Sequence, residues 1–218
     1  MHGEALRPGE RARDVGDPYR YGVYLRPDPR TCLAVTTITA QLRAQYGFVS
    51  AGAFPPHATL VGSQHLGRDE DAVVTALDAA LAGRPGFDVH NRGVRPSGVG
   101  FVYDVHHRAD GSPNTEFVDL AAAVDAAVAP LRLPMNSPQV HGFDRTGFLA
   151  HLSLASHDLY ERPDLHDEVG EFVTGLDVEV PQGFRGRTVT LYRTASSDWS
   201  GRWWRSLVCE HLKTWTLG

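Results

Sequence analysis

The sequence has little of what marks several common protein classes. Its 218 residues include two cysteines, Cys32 and Cys209. Their spacing fits neither a zinc site nor a redox pair. Cytosolic chains rarely carry a disulfide, so both read as small buried apolar residues. No stretch approaches the roughly 20 apolar residues of a membrane span. The opening residues lack the apolar run of a signal peptide. The expected location is the cytoplasm, with no membrane partner.

Charge of one sign is also scarce. Lysine and arginine total 21 against 26 aspartates and glutamates, a formal net charge of -5. Without a dense basic stripe, long duplex nucleic acid is not an expected partner. A small nucleotide or an RNA end in a local pocket remains open. No Gly-Lys-Ser/Thr follows a glycine run, as a P-loop requires, and no Gly-x-Ser-x-Gly elbow occurs. His106, His107 and His141 lack partners at metal-ligand spacing and read as surface residues. Neither a metal nor a cofactor is expected.

What is present is an alternation of strand and helix signals. Residues 1–18 are polar and aperiodic and read as a flexible tail. Residues 19–26 are β-rich and end at Pro27. Apolar spacing predicts helices over 29–47, 69–81, 116–131 and 163–175. Alternation predicts strands over 57–62, 87–94, 99–106, 147–156 and 187–194, with a final strand over 203–212. A helix followed by a histidine-bearing strand occurs twice. This order predicts an internally duplicated α+β fold with mostly antiparallel sheets and a central groove between the two histidine strands.

Those strands carry His57-Ala58-Thr59-Leu60 and His151-Leu152-Ser153-Leu154. Residues i and i+2 of a strand share a face, so each strand offers one imidazole and one hydroxyl to a common surface. Among 11 histidines, these two alone have a hydroxyl residue at i+2. A neutral imidazole can take a proton from an attacking oxygen, and a protonated one can supply the leaving oxygen. The hydroxyls of Thr59 and Ser153 can donate to non-bridging phosphate oxygens, where charge accumulates. The pattern alone leaves a second reading open: two buried histidines satisfied by neighbouring hydroxyls.

The residues Pro55-Pro56-His57-Ala58-Thr59-Leu60 and Phe148-Leu149-Ala150-His151-Leu152-Ser153-Leu154 resemble the paired motifs of the two-histidine (2H) phosphoesterase superfamily. This superfamily includes 2′,3′-cyclic nucleotide phosphodiesterases, 2′-5′ RNA ligase-type proteins and RNA-end trimming enzymes. The opening strand 22–26 and the segment 190–194, followed by Trp204, are similar to the family's first and closing segments. The resemblance spans roughly residues 19–212. It implies a single bilobal domain over 19–218, two mostly antiparallel sheets lining a central groove, and helices outside. It also implies metal-free catalysis, with His57 and His151 as the acid/base pair and Thr59 and Ser153 as phosphate-binding hydroxyls. The substrate implied is a nucleotide or RNA-end phosphodiester, a 2′,3′-cyclic phosphate or a 2′-5′ linkage. A monomer is expected. The alternatives are an RNA ligase, a phosphoesterase acting on a small metabolite, or a non-catalytic binder of nucleotides.

Tyr24 and Tyr103 are the candidates for stacking on a base, with core packing as the competing reading. Trp199, Trp203 and Trp204 read as packing residues. Arg193 reads as an exposed strand arginine, and His157-Asp158 as either a substrate-orienting pair or a strand end.

Overall fold

The computed structural model describes residues 19–67, 69–133, 143–199 and 201–218. The expected tail, 1–18, and His141 lie outside the described residues. The chain runs β1 (Tyr19–Arg26), α1 (Pro29–Tyr46), β2 (Ala58–Gln64), α2 (Glu70–Leu81), β3 (Phe87–His90), β4 (Val94–Ser97), β5 (Gly100–Asp104), α3 (Thr115–Val128) and β6 (His151–Ala155). It continues with α4 (Asp158–Glu161), α5 (His166–Gly175), β7 (Gly183–Gly186), β8 (Thr188–Ala195) and β9 (Val208–Thr216).

Helix boundaries follow local chemistry. Pro29 opens α1, and the Asp28 carboxylate caps it by accepting from the Thr31 N–H at 2.8 Å. Gly47, at φ 73°, ends it in the left-handed conformation. Asp69 and Asn114 cap α2 and α3 in the same way.

Seven strands form one antiparallel sheet in the order β4-β5-β6-β2-β1-β8-β9, and β3 pairs with β7 in a separate ribbon. The order β5-β6-β2-β1 is palindromic, because β1-α1-β2 and β5-α3-β6 are the two copies of the duplicated unit. The helices cross over: α1 packs on β6 of the other copy, and α3 packs on β2. The halves meet where Ala58 pairs with Leu152. Strand alternation then sorts the side chains. Tyr21, Val23, Leu25, Ala58, Leu60, Leu152 and Leu154 join the helix-covered core. The opposite face of these strands carries the groove.

Four expectations change. The strand over 147–156 begins only at His151. The strand over 87–94 is two strands, broken where the Asn91 side chain accepts from the Gly93 N–H and Gly93 takes φ 88°. The first part leaves the main sheet to pair with β7, which has no alternating signature. At Gly186 an added Cβ would lie 2.9 Å from Val89 Cγ2, so the ribbon closes there because no side chain intervenes. The final strand begins at Val208, because Trp203–Arg205 forms a 3-10 turn.

Candidate active site

Register brings the two motifs side by side: Ala58 pairs with Leu152 across antiparallel strands. His57, just before β2, and His151, the first residue of β6, line one hollow with Ser153, and charge on His151 is felt at His57.

Both rings are fixed in the same way. His57 Nδ1 lies 2.7 Å from the Pro55 carbonyl, and His151 Nδ1 lies 2.8 Å from the Leu149 carbonyl. A carbonyl can only accept, so Nδ1 carries the proton in each ring. Nε2 is thus the atom left for proton exchange, and the i−2 carbonyl sets the ring angle before a substrate arrives.

The environments differ. His57 lies against Tyr24, ring centroids 4.3 Å apart, and against Phe54 at 5.3 Å. This desolvation pushes its pKa down from 6.5 to about 4; the Pro55 carbonyl opposes the shift, and charge on His151 adds to it. His151 is more open, and its neighbour across β5 is the buried Asp104. The Asp104 carboxylate accepts from His107 Nδ1 at 2.8 Å and lies 3.3 Å from Arg95 Nε. Burial raises the Asp104 pKa, but these partners and the His106 N–H outweigh it and leave the pKa lowered.

A hollow of about 280 Å³ opens on this face, lined by His57, His151 and Ser153. Thr59 lines an adjoining hollow on the other side of His151. The histidine hollow continues past Val102 and Ala155 to Ser50, Phe54, His157, Tyr160 and Trp203. One wall is the β4–β5 turn, where Gly98 has φ 58° at the first central position of a two-residue hairpin. A larger hollow of about 720 Å³ lies between the β3–β7 ribbon and α3 and shares no lining residue with the histidine site.

Neither tyrosine expected to stack on a base reaches the hollow. Tyr103 pairs with Leu152, so it points into the core at 4% exposure, where burial pushes its phenol up to about 12. Tyr24 does face the groove side but is 3% exposed. Its ring is covered by Phe54, His57 and Tyr192, and its hydroxyl lies 3.2 Å from Ser63 Oγ. It backs His57 rather than meeting a ligand. Gly22 makes this possible: a Cβ there would lie 2.1 Å from the Tyr24 hydroxyl.

Other assignments also move. Trp204 packs as expected at 8% exposure, but Trp203 lines the hollow. His106 is buried at 4% rather than on the surface. Arg193 bridges Glu70 and Glu210 and is not an isolated exposed cation. His157 lines the hollow, while Asp158 turns inward to accept from the Val49 and Ser50 N–H groups at 2.9 and 2.6 Å. Neither cysteine is in a disulfide. Among the described residues no cluster of three His, Cys, Asp or Glu could hold a metal ion, and no helix is long and apolar enough to cross a membrane.

Several solved structures share this fold. E. coli LigT in complex with NADP+ aligns over 93% of this chain and 99% of its own, with TM-score 0.55 and 16% identity. TT0787 of Thermus thermophilus aligns over 91% and 97%, with TM-score 0.57 and 16% identity. A structure described as a phosphoesterase aligns over 92% and 99%, with TM-score 0.53 and 16% identity. No protein-family model and no curated protein sequence matches the chain.

Proposed function

We propose that the chain is a two-histidine phosphoesterase that hydrolyses a nucleotide or RNA-end phosphodiester without a metal. The observation that carries this reading is the matched pair of imidazoles, each held through Nδ1 by an i−2 carbonyl and both lining one hollow. Binding alone needs no such pair. Proton transfer to one oxygen of a phosphodiester and from another needs both.

Roles follow from the environments. The enclosed His57 stays neutral and serves as the base that takes a proton from water. The more open His151 is assigned the proton transfer to the departing ribose oxygen. Thr59 and Ser153 donate to the non-bridging oxygens. Water adds to phosphorus, the bond to the ribose oxygen breaks, and a monoester with a free hydroxyl remains. E. coli LigT, which shares the fold, has been solved with 3′-AMP and with phosphate, and both fit a site of this chemistry.

A panel of 2′,3′-cyclic nucleotides and of 2′-5′ and 3′-5′ dinucleotides, assayed with and without EDTA, tests the reading. Turnover that survives EDTA and falls about 100-fold or more in His57→Ala and in His151→Ala is expected. Loss of activity with EDTA, or near-normal turnover in both variants, contradicts it. Ligated dinucleotide products would favour the ligase direction instead.

A further inference from the structure

We propose that the far end of the histidine hollow is a stacking subsite for one aromatic heterocycle, with Trp203 as its platform, and that the substrate is mononucleotide-sized rather than a continuing RNA strand. The proposal rests on the phosphodiesterase reading for where the phosphate lies. The stacking subsite itself can be tested without turnover.

Trp203 is held as a ligand platform would be. Trp199 stacks on one face, with centroids 6.3 Å apart and planes 22° from parallel, and the Arg20 guanidinium lies 5.4 Å from the Trp199 ring. Phe54 and His157 meet Trp203 edge-on at 5.8 and 5.0 Å. The Ser196 hydroxyl donates to the Trp203 carbonyl at 3.0 Å. The same loop is clasped to α4 by ion pairs from Arg202 and Arg205 to Glu161, at 2.5 and 3.6 Å. With all this support Trp203 still keeps surface facing the hollow, whereas its neighbour Trp204 is buried. A ring fixed in place and only partly covered loses little entropy when a planar ligand covers the rest.

Tyr160, 66% exposed, stands at the rim. Ser156 and His157 also line the hollow, with Ser156 Oγ 3.2 Å from His157 Nδ1, while the buried Ser50 hydroxyl is taken up by Ser156 and the Asp158 N–H. Ser156 and His157 are the polar groups that can meet the donors and acceptors of a heterocycle.

Size and charge define the rest of the substrate. The hollow, about 280 Å³, falls just below the usual span of ligand pockets, roughly 300–1,000 Å³. Its described lining contains no lysine or arginine. Grooves that follow a nucleic-acid backbone pair aromatic platforms with rows of cations. Here the platform is present and, among the described lining residues, the row is not.

The test compares wild type, Trp203→Ala and Trp203→Phe on adenosine 2′,3′-cyclic phosphate and on a base-free methyl riboside 2′,3′-cyclic phosphate. Trp203→Ala should raise KM for the adenosine substrate about tenfold with kcat within about twofold, and Trp203→Phe should restore most of it. The base-free substrate should respond equally to all three. An equal loss on both substrates would mark Trp203 as a support of the loop and overturn the subsite, as would an unchanged KM. Wild type should also prefer the mononucleotide by about tenfold over an RNA hexamer ending in the same cyclic phosphate; parity overturns the size assignment. Calorimetry with 3′-AMP and with inorganic phosphate separates the two readings. 3′-AMP bound by wild type and about tenfold weaker in Trp203→Ala, with phosphate affinity unchanged, supports the subsite even if no phosphodiester is turned over. 3′-AMP affinity that is absent, or equal in both proteins, overturns it.

Discussion

Opening the aromatic enclosure of His57 should move the acidic limb of the pH–rate profile. With a pKa of about 4, the ring is about nine-tenths neutral at pH 5. An imidazole at the ordinary value of about 6.5 is about 3% neutral there, roughly a 30-fold difference in available base. Phe54, whose ring lies 5.3 Å from His57, forms the removable part of the enclosure. Phe54→Ala admits water and should raise the pKa toward 6.5. Because Phe54 also lines the hollow, the useful quantity is the ratio of kcat/KM at pH 5 to that at pH 8 within each protein, which cancels a uniform loss of binding. Wild type should hold its activity down to about pH 4 to 5. The variant's ratio should fall by up to about 30-fold. NMR titration of the His57 ring follows the same proton directly. A wild-type limb near 6.5, or a Phe54→Ala limb that does not move, refutes the assignment of His57 as a desolvated neutral base.

The same shift links protonation to stability. The unfolded His57, near 6.5, binds more protons than the folded one between about pH 4 and 6.5, so stability falls as pH drops through that window. His57→Gln should flatten this part of the denaturation curve; an unchanged slope excludes the link. Gly22→Ala should push the Tyr24 ring off His57, costing about 1–3 kcal/mol by overpacking and lowering kcat. Wild-type urea midpoint and turnover would contradict it. Asp158→Ala should orphan the Val49 and Ser50 N–H groups, costing about 3 kcal/mol. That is a fall of about 6–12 °C in Tm by calorimetry, and a shift under 2 °C would count against it.

The histidine strands were legible because a period of two is written directly into His-x-Thr and His-x-Ser, and because helix and strand signals repeat in the same order. The duplication takes the form of β1-α1-β2 and β5-α3-β6. Register was not legible. Asp104, not Tyr103, pairs with His151, and that one-residue parity sends Tyr103 into the core. Tyr24 has the correct parity, yet chain-distant rings cover it. Trp203 reads like Trp204 in sequence, since only the path of the 196–207 loop separates a packed indole from one that faces a hollow. β7 was invisible because its glycines permit pairing without advertising it.

The most direct test of the two-histidine phosphate site is the structure of the protein with inorganic phosphate. The account predicts one phosphate within hydrogen-bonding distance of both Nε2 atoms, His57 and His151, with Thr59 and Ser153 donating to its remaining oxygens. A phosphate bound elsewhere, or held by one histidine without the other, would contradict it.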